Sequence, residues 1–228
     1  SANPIKLKAA LTIAAGQDVV LDLKGKLVLH VLEPADIMFR VNGKLTLTGN
    51  GQINSTHYIA SANAGGEIKV ENGGFTAETT CFQANGGKVF ISDGLFSVTG
   101  KYGSTYLLNH IDSQKENGLI AVSGGTFVGY DPAKSASESP AMNFVAKDYA
   151  SVSTGDNKWT VRPDLYKEGS IYYAYNSNGF QKALKLNEPR VEITLVEDVT
   201  VDVNAWDDLA FGGDKSETII IYGKSNTI

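Results

Sequence analysis

The sequence predicts an all-β chain: a right-handed parallel β-solenoid (β-helix) with three strands per coil, followed by a small C-terminal α/β appendage or the start of a second solenoid module. Three observations predict it. An imperfect internal repeat runs between about Lys44 and Val128. Each repeat carries a turn at a fixed place, and one apolar or aromatic residue just after it. A repeat of this length means units that bury their apolar faces against their neighbours.

Four segments define the repeat. They are Leu45–Ile53, Ile68–Phe75, Val89–Phe96 and Ile120–Phe127, with first residues 23, 21 and 31 positions apart. Each opens on an alternating apolar pair, the mark of a strand with one face inward. The inward pairs are Leu45/Leu47, Ile68/Val70, Val89/Ile91 and Ile120/Val122. The turns follow at Asn72-Gly73, Asp93-Gly94 and Gly124-Gly125. These residue types accept a positive φ at low cost. A hairpin could use the same dipeptides, but a meander gives no reason for a whole-unit repeat near 22 residues. After the turns come Ile53, Phe75, Phe96 and Phe127, expected to stack inside the solenoid. Burial of such side chains contributes about 1.5–3 kcal/mol each. A third apolar patch completes each coil: Tyr58-Ile59-Ala60, Cys81-Phe82, Tyr106-Leu107-Leu108 and Asn143-Phe144-Val145.

The ends diverge from the repeat. Leu11-Thr-Ile13, Val19–Leu23 and Gly25–Leu29 read as a divergent first coil and cap. Tyr149–Ser153 and Lys158–Val161, joined through Thr154–Asn157, read as a closing hairpin. Exposed strand edges need such ends. The solenoid domain is therefore expected over residues 1–162, and a smaller unit over 163–228. In the second, Asn176–Leu186 reads as one short helix with a polar start. Val191–Val196 and Val199–Val203 alternate as strands. Thr218–Ile228 resembles Val19–Leu29, an apolar strand with a Gly-Lys turn.

The bulk numbers narrow the function classes. Net charge is −5 and only 20% of residues are charged, so no basic excess exists to neutralise nucleic-acid phosphates. No apolar run approaches the length of a membrane span, and no signal peptide is visible. The single cysteine, Cys81, excludes an intrachain disulfide and reads as a small buried hydrophobe. No cofactor is implied.

The runs Gly124–Pro132, Asn143–Ala146 and Asn157–Val161 resemble repeat proteins of gut bacteria and their phages, within the broad pectate-lyase-like β-helix group. The resemblance covers roughly residues 10–162. It implies virion components such as tail or head fibres, at the virion surface or on the outside of a cell. It also implies a homo-oligomer, often a trimer. Fold alone does not carry activity.

Enzymes on this fold need carboxylates clustered on one face. The register after the second inward residue holds Thr48, Glu71, Ser92 and Ser123, and the next holds Gly49, Asn72, Asp93 and Gly124. Neither puts two carboxylates on neighbouring coils. Glu71 reads as a solvated strand residue and Asp93 as a turn former. Asp207, Asp208 and Asp214 could bind calcium, or form an acidic surface loop. His30, His57 and His110 lack the spacing of metal ligands, so no metal site is expected. Gly65-Gly66 and Gly86-Gly87 read as solenoid corners.

The remaining feature is a corner whose connections lengthen along the chain: Asn54–Thr56, Thr76–Thr79, Thr99–Ser104 and Gly129–Pro140. Insertions gathered at one corner often build a binding surface. Tyr102, Tyr106, His110, Tyr130 and Asp131 are the candidate ligand-binding residues there. The bland alternative is that the loops only shield the coil edges. The expected function is a non-enzymatic structural or adhesive module of a phage fibre or bacterial surface protein. Its expected partners are a cell-surface glycan or other virion or surface proteins. The alternatives are a polysaccharide lyase or glycoside hydrolase, and a capsid or tail assembly domain.

Overall fold

A computed structural model describes residues 4–30, 36–100, 106–114, 116–134, 137–138, 142–200 and 218–223. The chain divides into two compact units, 1–146 with 151–161, and 147–150 with 162–228.

The first unit is a parallel β-solenoid. Chain order cycles through three sheets, and each strand pairs with its counterpart one coil away. The first sheet contains Ile5–Leu7, Leu27–His30, Gln52–Ser55, Gly74–Ala77, Leu95–Val98 and Thr126–Val128. The second contains Leu11–Ile13, Ile37–Val41, Tyr58–Asn63, Thr80–Asn85 and Leu108–His110. The third contains Asp18–Asp22, Lys44–Thr48, Glu67–Val70, Lys88–Ile91 and Leu119–Val122. The region expected to be a divergent end thus forms one complete coil and two strands of the next ahead of the repeat.

Register turns the sequence pattern into columns. In the third sheet, Val19, Leu45, Ile68, Val89 and Ile120 lie in one inward column, and Leu21, Leu47, Val70, Ile91 and Val122 in another. In the first sheet, Val28, Ile53, Phe75, Phe96 and Phe127 are aligned and all buried. The rings of Phe75 and Phe96 stack at 5.3 Å, and those of Phe96 and Phe127 at 4.8 Å. Phe82 meets Phe75 and Phe96 edge-on from the second sheet. Offset stacking and edge contacts of this kind suit the aromatic quadrupole.

The corners explain the glycines. Gly73 and Gly94 hold φ of 126° and 131°, and Asn72 and Asp93 each accept the following amide at 2.7 Å. A Cβ on Gly94 would stand 2.7 Å from the ring of Phe96, so the aromatic stack nests under the turn. At the corner between the second and third sheets, Asn42, Asn63 and Asn85 form a side-chain ladder. Asn63 donates to Asn42 at 2.9 Å and Asn85 to Asn63 at 3.4 Å. Gly66 and Gly87 follow there, where a Cβ would collide with backbone oxygens of the preceding coil.

One expectation is corrected. Asn143–Val145 does not supply the third patch in the second sheet. Val145 bridges Val122, and the Val122 amide donates to the Phe144 oxygen at 2.8 Å, which extends the third sheet. The insertion after Val128 carries the chain past the second sheet. Strands Tyr149–Gly155 and Lys158–Pro163 then close the first sheet as a hairpin, with Trp159 opposite Phe127.

The second unit is a four-stranded sheet of Leu165–Glu168, Ile171–Ala174, Arg190–Leu195 and Thr218–Gly223, with one helix, Ser177–Leu184. Asn176 caps that helix by accepting from the Gly179 amide at 2.8 Å. Phe180, Ala183 and Leu184 pack on Tyr172, Ala174, Val191 and Ile193. Among the described residues no helix is long and apolar enough to cross a membrane. The end of the expected strand Val199–Val203 and the acidic residues Asp207, Asp208 and Asp214 lie outside the described residues.

Candidate functional site

The corner between the first and second sheets carries the long connections, as the sequence pattern indicates. The turns there are short after Ser55 and Ala77, and long after His30, Val98 and Val128. The long link after His30 was not anticipated, so the series does not grow steadily along the chain.

Beside this corner lies a cleft of ≈ 230 Å³. Asn54, Thr56, Thr76, Glu78 and Thr99 give it a polar rim, and His30 and Ser55 lie at its base. The base is well ordered by hydrogen bonds. Ser55 Oγ donates to the Tyr58 carbonyl at 3.0 Å and receives the His57 amide at 3.2 Å. With its proton committed, Ser55 Oγ accepts from His30 Nδ1 at 2.9 Å. That assigns the proton of a neutral His30 to Nδ1. This is the reverse of an activated serine, in which the imidazole takes the hydroxyl proton. His30 Nε2 is buried without a partner. Burial holds the His30 imidazole below the ordinary histidine range, opposed by the charge of Asp36 and reinforced by His57. His57 is lowered by burial too, against the charges of Asp36 and Glu78, and its Nδ1 lies 3.0 Å from Thr79 Oγ1.

The outer face of the second sheet holds a polar column that is also buried. Ser61, Gln83 and Asn109 share one register. Gln83 donates to Ser61 at 3.1 Å, and Asn109 donates to Gln83 at 3.2 Å. The connection after Val128 lies over the column's end. Asn109 donates to Glu138 at 3.0 Å, and Ser137 Oγ accepts the His110 amide at 2.8 Å. Glu138 also adds its charge to burial in raising the Tyr58 phenol above the usual tyrosine range.

The expected ligand residues separate on this frame. Tyr130 and Asp131 sit together on the loop, both half-buried. Tyr130 OH donates to the Leu108 carbonyl at 3.2 Å, and Asp131 accepts the Ala133 amide at 2.9 Å. Tyr106 is half-buried just ahead of the strand Leu108–His110. His110 is 3% exposed, in the inward column of Ile13, Val41, Ala62 and Ala84. Tyr102 lies outside the described residues. His30, Ser55, His57 and Glu78 were missed as a group. Their signal was polar residues at inward positions, His30 and Ser55, in register with apolar Ala77. Among the described residues no cluster of three His, Cys, Asp or Glu is placed to hold a metal ion.

The class of protein follows: a parallel β-solenoid with a separate α/β unit. No protein-family model matches the chain, and no curated protein or solved structure matches it.

Proposed function

We propose that this chain is a non-enzymatic structural and adhesive module, a rigid spacer in a phage fibre or bacterial surface protein. It contacts glycan along the corner between its first and second sheets. The observation that carries the reading is the coincidence of the cleft with the corner from which the long loops leave. Hydroxyl, amide and carboxylate groups of Asn54, Thr56, Thr76 and Glu78 match the hydrogen-bonding needs of a sugar, and the half-buried Tyr130 supplies aromatic surface on the long loop after Val128. Continuous inward columns support the spacer role, because each coil rests on its neighbours along its whole length. The resemblance of Gly124–Pro132, Asn143–Ala146 and Asn157–Val161 to gut phage and bacterial repeat proteins supports the setting.

The test is incubation with a panel of cell-surface polysaccharides. The chain is expected to be retained on at least one of them, with no new reducing ends and no unsaturated products. Release of either product contradicts the reading. So does retention that is unchanged in the double variant Asn54→Ala, Thr76→Ala.

A further inference from the structure

Six asparagines in the chain are followed by glycine: Asn42, Asn50, Asn72, Asn85, Asn117 and Asn178. In such a pair the glycine nitrogen can attack the amide carbon of the asparagine side chain, because no Cβ shields it and its backbone turns freely. Folding decides which pairs react. A pair is held back where the glycine N–H or the asparagine side chain is bound elsewhere, since those bonds must open first.

Four of the six are held in that way. The Gly43 amide donates to the Ile13 carbonyl, and Asn42 Oδ1 accepts from Asn63. The Gly118 amide donates to the Gln114 carbonyl at 2.9 Å. The Gly179 amide donates to the capping Asn176 at 2.8 Å. Asn85 is tied into the ladder on Asn63, which Gly86 also bridges. Asn50 is exposed, but Gly51 is wedged against the coil before it. A Cβ there would stand 2.5 Å from both Leu23 Cβ and the Lys26 carbonyl.

Asn72 differs. Its side chain is exposed and folds back on the next peptide bond, where Oδ1 accepts the Gly73 amide at 2.7 Å. Cγ is bonded to Oδ1, so the amide carbon lies beside the nitrogen that would attack it. Such proximity removes much of the cost of ring closure. Among the described residues no backbone carbonyl holds the Gly73 amide. Gly73 is buried, but against the ring of Phe75 and a Leu23 methyl, which can give way more readily than backbone.

We propose that Asn72 is a site of spontaneous deamidation. The Gly73 nitrogen bonds to Asn72 Cγ and gives up its proton, and the side-chain nitrogen leaves as ammonia. The product is a cyclic succinimide. Water then opens the ring: its hydroxyl goes to one carbonyl carbon and its proton to the ring nitrogen. Attack at Cγ leaves aspartate, and attack at the main-chain carbon leaves isoaspartate. Nothing is oxidised or reduced. The turn accepts the aspartate form, because Asp93 stands at the same place one coil later, with the same bond to Gly94 at 2.7 Å. Val70 pairs with Ile91 and Gly74 with Leu95, so positions 72 and 93 are aligned. Deamidation therefore sets two carboxylates side by side on neighbouring coils, where like charges repel.

The test incubates the full folded chain in mildly alkaline buffer and follows all six pairs by peptide mass mapping. Asn72 is expected to convert at least ~10-fold faster than any of the other five, through a form lighter by ammonia. In urea, where every pair is freed, that lead is expected to vanish. The variant Asn72→Asp should no longer generate the first acidic form on isoelectric focusing. A smaller margin in the folded chain overturns the proposal, and so does a lead that persists in urea.

Discussion

Replacing Phe96 by alanine probes the stack that organises the solenoid. The side chain is 0% exposed and lies between Phe75 and Phe127, with Phe82 edge-on. Lost burial accounts for about 1.5–3 kcal/mol, and each aromatic contact adds about 0.5–1.5 kcal/mol. The ring is held under Gly94 and Gly125 by close backbone approach, so the gap cannot readily collapse. The expected loss is therefore about 3–5 kcal/mol, typical of a buried Phe→Ala change that leaves a cavity. Equilibrium urea denaturation followed by circular dichroism measures it. Leu95→Ala is the control one residue away, at a side chain 51% exposed, and should change stability by less than about 0.5 kcal/mol. A Phe96→Ala loss below about 1 kcal/mol, or no larger than the control's, refutes the stacked-column account.

Gly66→Ala should cost about 1–3 kcal/mol, because the added methyl meets the Val41 carbonyl. Gly65→Asn should cost less, since nothing lies within 4 Å and asparagine tolerates the left-handed backbone there; the order of their melting temperatures checks both. His30 and His57 resist protonation in the folded state, so the unfolded chain binds the protons first. Stability should be full above the ordinary value of 6.5 and fall as pH drops below it towards the lowered folded values. Urea midpoints at about pH 7.5 and about pH 5.5 measure that slope, which His30→Leu should flatten; an identical slope in the variant contradicts the assignment. Cys81 is fully buried, and burial pushes its thiol up to about 12. It should react with a disulfide reagent only after unfolding, and rapid reaction of the native chain would show that the corner opens.

Legibility in the sequence follows local constraint. Asp93-Gly94-Leu-Phe96 announced itself because the turn needs a positive φ and the ring needs a glycine above it. The first two coils were harder to read. Leu23-Lys-Gly25 and Val41-Asn-Gly43 turn without the Asn/Asp-Gly-x-Phe spacing of the later repeats, yet their strands pair in the same columns. Asn143–Val145 misled because an apolar pair such as Phe144-Val145 after a strand looks the same whichever sheet it joins, and only the length of the insertion decides. His30 and Ser55 were invisible as partners because they stand 25 residues apart and meet only when one coil lies on the next. The C-terminal helix was plain from its polar start, while its role as a cover for Val191 and Ile193 required the fold.

The corner account is tested most directly by mapping backbone amide shifts while a retained glycan is titrated in. Perturbations should gather at Asn54, Thr56, Thr76, Glu78, Thr99 and Tyr130, around the cleft and its neighbouring loop. Perturbations confined to the outer face of the third sheet, from Lys44 to Ser123, would contradict it.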